Sequence, residues 1–168
     1  MVVINIAFTA PINPPGATPV LTIEQVWAGL QHKIRHAEAF VPVILSTAVL
    51  SESTAPVDSV PTVVREATFK EGFHPGGNPK VKETCKSYGP SRVDFHQPDG
   101  STISNIISTD ADGGLNMTYS FSWKHDGVEQ GSEEEKGLRE KHAGGARIAV
   151  EKSIEAMRTM VQDGTIEA

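Results

Sequence analysis

The chain has 168 residues, a formal net charge of -6 and a single cysteine, Cys85. This length suits one domain with its own hydrophobic core, and the acidic charge argues against nucleic acid or an anionic membrane as partner, because phosphate binding needs a basic surface. One cysteine excludes an internal disulfide, and no apolar run approaches the roughly 20 residues of a membrane span. We expect a single domain over residues 1–168, located in the cytoplasm and without a signal peptide.

The N-terminal part predicts one strand followed by two short helices. Residues 2–12 alternate apolar and polar side chains, which is typical of a strand, and a proline-rich loop follows. Thr22 with Gln25 three residues later has the pattern of a capping box. The apolar face of the helix behind it is formed by Ile23, Val26, Trp27, Leu30 and Ile34. Residues 36–40 predict the second short helix, which ends before Pro42.

The middle of the chain predicts six strands joined by short turns. These strands cover residues 43–50, 63–69, 81–88, 92–96, 102–108 and 115–123. Short connections, of which the turn at residues 98–100 is the clearest, indicate antiparallel hairpins and not crossover units.

The longest helical pattern runs from Ser132, a predicted N-cap, to Gly164, a predicted terminator. The side chains predicted to face the sheet are Leu138, His142, Gly145, Ala149, Ser153, Ala156 and Met160, widened by Ile148, Met157 and Val161. Because the first half of this stripe is small or polar, we expect the helix to bend or thin at Gly144 and Gly145 and to leave a cavity beneath. Tight packing along the whole helix would contradict that cavity.

These elements together predict an α+β helix-grip fold. A seven-stranded antiparallel curved sheet would wrap around the long C-terminal helix, with two short helices after the first strand.

Strand alternation assigns the side chains that point toward the long helix. The inward set is Val63, Arg65, Ala67, Phe69, Val81, Glu83, Cys85, Val93, Phe95, Ile103, Asn105, Ile107, Leu115, Met117, Tyr119, Phe121 and Trp123. Arg65, Glu83 and Asn105 are unusual members, because a buried charge costs several kcal/mol unless it is paired.

Each polar member of this set has a structural and a functional interpretation. Arg65 and Glu83 lie on adjacent strands, so they either form a buried ion pair or orient a ligand together. Asn105 either anchors a ligand carbonyl or satisfies backbone groups. Tyr119 is either a core residue or a donor in a pocket, and His142 is either structural or a general base.

We predict Arg65, Glu83 and Tyr119 as catalytic residues. The predicted ligand-binding residues are Trp27, Phe69, Phe95, Asn105, Met117, Phe121, Trp123, His142 and Met157. No metal site is predicted, because the histidines lack an HExxH or comparable ligand spacing. Cys85 is interpreted as a small core residue, and the glycine pair at residues 76–77 is not a phosphate loop, because no GK[ST] follows it.

Four stretches carry a resemblance to a known family. They are LTIEQVWAGLQHKIRHAEAFVPVI, VVREATF, STISNIIS and AMRTMVQDGTI. The chain resembles the SRPBCC superfamily of START-like, birch-pollen-allergen-like helix-grip proteins, and within it the AtaL-like family named for the acetylaranotin biosynthesis cluster protein L. The likeness covers nearly the whole chain and is most specific at residues 27–44 and 104–108. It implies a hydrophobic cavity and a role in fungal secondary metabolism, but it transfers no catalytic residue.

Two functions are compatible with these expectations. The first is an enzyme without a metal or organic cofactor, a cyclase, dehydratase or isomerase acting on a hydrophobic polyketide- or peptide-derived intermediate. Arg65 would stabilise developing negative charge, Glu83 would act as acid or base, and Tyr119 would hold a carbonyl together with Asn105. The alternative is a non-catalytic carrier of a hydrophobic small molecule. We favour the enzyme, because inward charged residues exceed what an apolar carrier needs, and we expect a monomer or a weak homodimer.

Overall fold

The computed structural model describes residues 1–54, 59–74 and 77–167. Seven strands and two α-helices follow one another, with a short 3-10 helix, Ala37–Ala39, before β2. The elements are β1 Val2–Pro11, α1 Ile23–Arg35, β2 Ile44–Thr54, β3 Pro61–Phe69, β4 Lys80–Tyr88, β5 Arg92–His96, β6 Thr102–Thr109, β7 Leu115–His125 and α2 Glu133–Gln162. The predicted helix-grip fold is confirmed, with the second short helix reduced to the single 3-10 turn. Gly76, one of the two glycines for which a phosphate loop was excluded, lies outside the described residues.

The strands form one curved, open sheet in the order β1-β7-β6-β5-β4-β3-β2. Every neighbouring pair is antiparallel. Each strand from β3 to β7 returns directly beside the one before it, and β1 pairs with β7. The long connection through α1 instead carries the chain from one edge of the sheet, β1, to the other edge, β2. The two helices therefore lie on the same concave side.

Both α-helices begin at the caps that the sequence predicts. The Thr22 side chain accepts a hydrogen bond from Gln25 N, while Gln25 Oε1 accepts one from Thr22 N at 3.0 Å. Ser132 accepts from Glu135 N in the same way. At the other end of α2, Gly164 has a φ of +82°, a conformation that glycine adopts without steric cost.

The stripe that α2 turns to the sheet differs from the predicted one. Gly145 and Ile148 are exposed, and the buried residues of the helix are His142, Ala146, Val150, Ser153, Ile154, Met157 and Met160. The helix continues through Gly144 and Gly145, where an added Cβ would meet nothing within 4 Å. The predicted placement of Gly145 toward the sheet is therefore wrong, because both glycines lie on the solvent side.

The two halves of α2 pack differently. Its second half joins the main core, where Met157 is so close to α1 that a Cβ on Gly29 would lie 2.6 Å from Met157 Cγ. Its first half contacts the small cluster of Val2, Ile4 and Val128. The two helices divide the sheet between them, since α2 packs mainly on β1 and β7, whereas α1 packs on β2, β3 and β6.

Candidate functional site

The central feature of the concave face is an ion pair between adjacent strands. Arg65 on β3 lies directly opposite Glu83 on β4. Arg65 Nε and Nη2 both donate to Glu83 Oε2, at 2.8 and 2.7 Å. The side chains are 4% and 5% exposed, so this pair is fully desolvated. Glu83 Oε1 in turn accepts a hydrogen bond from Gln97 Nε2 at 3.2 Å.

Arg65 also holds the end of α1 on the sheet. Its Nη1 donates to the carbonyl oxygens of Lys33 and Ile34, at 2.8 and 2.9 Å. These carbonyls belong to the last turn of the helix, which carries partial negative charge and lacks intrahelical donors. The guanidinium therefore satisfies a helix end and a carboxylate together, and all three of its nitrogens are used.

A second polar cluster lies beside the first and contains a residue that the sequence interpretation missed. Lys33 Nζ donates to Asn105 Oδ1 at 2.9 Å and to the Tyr119 hydroxyl at 3.0 Å. The amine also lies 4.2 Å from the centre of the Tyr119 ring. A signal was present, because Lys33 follows Leu30 by three residues and Val26 by seven, a spacing that puts it on the apolar face of α1.

Burial changes the protonation of this cluster. It lowers the pKa of Lys33 from 10.5 to about 7, with Arg65 adding to the effect and Glu83 opposing it. Burial likewise raises the pKa of Tyr119 well above its ordinary value, so the phenol keeps its proton. At neutral pH a substantial fraction of Lys33 is therefore a neutral amine beside a protonated phenol.

Two buried polar atoms around these clusters have no hydrogen-bond partner among the described residues: Asn105 Nδ2 and Ser153 Oγ. Asn105 and Ser153 are completely buried. The Ser153 hydroxyl lies beside Tyr119 and slightly opposes the rise in its pKa, but it makes no hydrogen bond of ordinary geometry. Buried polar groups are normally satisfied, so these atoms mark places where a bound polar group would be stabilised.

An aromatic row connects this cluster to the surface. Phe121 and Trp123 follow Tyr119 on β7, with ring centres 6.4 Å (Tyr119 to Phe121) and 5.8 Å (Phe121 to Trp123) apart. Tyr119 is 1% exposed, whereas Phe121 and Trp123 are half-buried. Half-buried Phe69 lies at the same end, linked to Trp123 through His74. The row is therefore buried at Tyr119 and partly exposed to solvent at Trp123, which lies against the first half of α2.

His142 lies at the Trp123 end of the row and contacts two aromatic side chains. Its ring stacks on Trp123 with centres 5.5 Å apart, and its Nε2 lies 2.9 Å from His125 Nε2. Since only one proton lies between the two Nε2 atoms in such a hydrogen bond, one of the two rings accepts through an unprotonated Nε2. Burial, with smaller effects of His125 and Lys141, lowers the pKa of His142 to about 4.

The other predicted site residues lie in three places. Phe95 joins the polar clusters, since its ring centre lies 4.9 Å from Arg65 Cζ and 5.8 Å from Lys33 Nζ. Met117 and Met157 lie in the main core. Trp27 lies apart from the polar clusters, against the turn between β4 and β5, where a Cβ on Gly89 would be 2.9 Å from its ring.

Two surface grooves border the end of α2. One, of about 540 Å³, is lined by residues including His32, Phe40 and Met160; the other, of about 570 Å³, includes His32, Ala28 and Ile166. Neither groove is lined by a predicted site residue.

A reactive cysteine, a metal site and a membrane-spanning helix have little support on the described part of the chain. Cys85 is fully buried, and burial raises the pKa of its thiol to about 12, which makes it an inert core residue as predicted. Within the described ranges, no three His, Cys, Asp or Glu side chains come together in a group that could hold a metal ion. None of the helices described is both long and apolar enough to cross a membrane.

A family profile described as "Acetylaranotin biosynthesis cluster protein L", AtaL, matches residues 6–164. The chain belongs to the AtaL family. No curated protein sequence matches it significantly.

Solved structures share the helix-grip fold of this AtaL-family chain at low sequence identity. One is the di-domain ARO/CYC protein BexL from the BE-7585A biosynthetic pathway, with a TM-score of 0.60 and 12% identity over 92% of this chain and 50% of that chain. Another is the di-domain ARO/CYC protein StfQ from the steffimycin biosynthetic pathway, with a TM-score of 0.59 and 11% identity over 97% of this chain and 52% of that chain. Ara h 8.0201 also matches (TM-score 0.52, 14% identity, 96% of this chain and 99% of that one). The chain spans about half the length of the two di-domain proteins.

Proposed function

We propose that this AtaL-family protein is a cyclase-type enzyme of secondary metabolism that acts on a hydrophobic polyketide- or peptide-derived intermediate. The family description supports a place in a biosynthetic cluster, and the ARO/CYC designation of BexL and StfQ supports cyclase chemistry on this fold. The proposal includes cyclisation, dehydration or isomerisation without a cofactor, in the cytoplasm of a fungus, by a monomer or weak homodimer that binds neither nucleic acid nor membrane.

One observation carries this proposal. The Lys33–Asn105–Tyr119 cluster lies buried at the inner end of an aromatic row, and two buried polar atoms beside it, Asn105 Nδ2 and Ser153 Oγ, lack partners. An apolar surface with a few convergent polar groups is what a small-molecule site requires. A purely structural cluster would be expected to satisfy its own atoms.

The residues suggest a division of roles. The Tyr119 hydroxyl and Asn105 Nδ2 would donate to a substrate carbonyl and stabilise the enolate that forms from it. Phe121 and Trp123 would hold the flat part of the substrate. Arg65 and Glu83, proposed as catalytic on sequence grounds, would act chiefly by fixing α1 and therefore Lys33, since their polar atoms bond each other, Gln97 and the helix end.

Substrate discovery and matched variants test the proposal. The protein is incubated with extracts of a host lacking its gene, and mass spectrometry identifies which compound disappears and which appears. We expect Tyr119→Phe to slow this conversion at least tenfold, and Tyr88→Phe, at the other, half-buried tyrosine, to leave it unchanged. Equal rates for the two variants would refute the assigned role of Tyr119. A lack of any converted compound would refute the enzyme.

The extensive bonding between Arg65 and Glu83 favours one alternative, a carrier that binds a hydrophobic metabolite without converting it. In Trp27→Phe, Trp123 is the only tryptophan, so a hydroxylated anthraquinone that binds the aromatic row should quench its fluorescence. Binding without turnover, unchanged in Glu83→Gln and Arg65→Met variants that remain folded, would establish the carrier.

A further inference from the structure

Lys33 carries a buried amine for which the neighbouring ion pair supplies no free counter-charge. Glu83 Oε2 accepts both hydrogen bonds from Arg65, and its Oε1 accepts one from Gln97. Lys33 makes no ion pair with any residue that the structure describes, and its Nζ donates to two neutral oxygens instead. Two basic side chains, Arg65 and Lys33, thus lie near a single carboxylate, and only Arg65 bonds it. Because a second buried positive charge would be uncompensated, this arrangement favours the neutral form of Lys33.

The surroundings of this amine suit carbonyl chemistry. Asn105 and Tyr119, the two groups that fix Nζ, also bring an unpartnered amide N–H and a protonated phenol to the same place. An oxygen atom near Nζ would therefore find an amide donor that the described part of the protein leaves unused. The 6% exposure of Lys33 limits access by bulk water, which protects an imine from premature hydrolysis.

We propose that Lys33 Nζ is a nucleophile that condenses with a ketone or aldehyde carbonyl of the bound ligand to form an imine. The inference rests on the proposed function for the presence of a hydrophobic carbonyl compound at this site, and it narrows the substrate class to such compounds. A flat ligand stacked on Phe121 and Trp123 would direct its inner end toward Tyr119 and Lys33.

The condensation needs only the neutral amine of Lys33 and the carbonyl group of the ligand. The nitrogen lone pair forms the C–N bond, the C=O π pair moves to oxygen, and one proton passes from nitrogen to that oxygen, giving a carbinolamine. The hydroxyl then leaves as water with the second nitrogen proton, and the nitrogen lone pair completes the C=N bond. One water is released, and one water later regenerates the amine and the carbonyl.

A 1,3-diketone tests the proposal, because it converts a nucleophilic amine into a stable enaminone with the loss of one water. The full chain is incubated with 1-phenylbutane-1,3-dione, and the product is analysed by intact mass and peptide mapping. We expect one adduct, located on Lys33, that forms more slowly as the pH falls below about 7. Lys33→Arg and Lys33→Met should abolish it, whereas Lys136→Arg, at an exposed lysine, should not.

Other results overturn the proposal. The proposal fails if the label is spread over the surface lysines of the wild-type protein, or if no adduct forms between pH 6 and 9. The wild-type peptide map decides the question even where a Lys33 variant does not fold. If Lys33→Arg converts the native intermediate at the wild-type rate, the imine is refuted and the cyclase function stands. If an adduct forms on Lys33 but no metabolite is converted, the reactive amine stands and the cyclase function fails.

Discussion

Replacing Glu83 with glutamine isolates the energetic role of the buried ion pair. The substitution keeps the shape of the side chain but removes the carboxylate that accepts two hydrogen bonds from Arg65 and one from Gln97. A guanidinium that is 4% exposed then remains buried without a counter-charge. Breaking a buried pair in this way costs about 3–5 kcal/mol of unfolding free energy. Glu83 also supports the charge on Lys33, so its loss lowers the pKa of that amine further.

The protein contains a matched control for this experiment. Arg35 and Glu52 form a similar two-bond pair, with both distances at 3.0 Å, but their side chains are 35% and 51% exposed. Solvent screens such a pair, so Glu52→Gln should change the stability little. Urea unfolding at pH 7.5 measures both variants.

A second substitution shows why Glu83→Gln is destabilising. Arg65→Met added to Glu83→Gln removes the orphaned charge and should recover part of the lost stability, because apolar replacement of a whole buried pair is often neutral. Equal effects of Glu83→Gln and Glu52→Gln, or a double variant that loses the sum of the single effects, would refute the reasoning.

Three further predictions concern α2 and its contacts. The pKa of His142 is lowered from 6.5 to about 4 in the folded protein. As the pH falls, the unfolded chain therefore binds a proton at this histidine before the folded protein does. The stability that neutral His142 contributes is complete above pH 6.5 and is lost as the pH falls toward 4. The loss is about 1–3 kcal/mol. His142→Phe should flatten this acid limb in thermal unfolding, whereas His36→Phe, at an exposed histidine, should retain it; identical limbs would contradict the assignment. Gly145→Ala should stabilise the protein by about 0.5–1 kcal/mol, because the position is exposed and helical, and a loss of stability there would mean that the glycine faces the sheet after all. Gly29→Ala should instead destabilise by about 1–3 kcal/mol, since its Cβ would lie 2.6 Å from Met157 Cγ; an additional Met157→Ala should partly relieve this clash, and no relief would contradict its cause.

The inward polar residues were predictable because strand geometry has little freedom. Side chains in a strand alternate with a period of two, so Arg65, Glu83 and Asn105 had to share the apolar face once the strands were placed. The adjacency of Arg65 and Glu83 followed from the short connections between strands. The structure confirms that all three are buried and that Arg65 pairs with Glu83.

The facing side of α2 was less predictable, because its first half contains little hydrophobic signal. Each residue turns a helix by about 100°, so a stripe read from small and polar residues can be displaced by one position. The displacement turned Gly145 outward and Ala146 inward. The packing partners on β1 and β7 decided between these two orientations.

Local sequence determined the elements of this protein, their caps and the inward row of the sheet, since each depends on residues a few positions apart. Tertiary structure alone decided the chemistry of the site. Lys33 is far in sequence from Asn105 and Tyr119, and it became a site residue only when α1 crossed the sheet at their level. Arg65 similarly bonds the end of α1, through the carbonyl oxygens of Ile34 and Lys33, which are 31 and 32 residues away in the sequence. Burial, which sets the charge of both groups, depends on everything packed around them and is not a property of any segment.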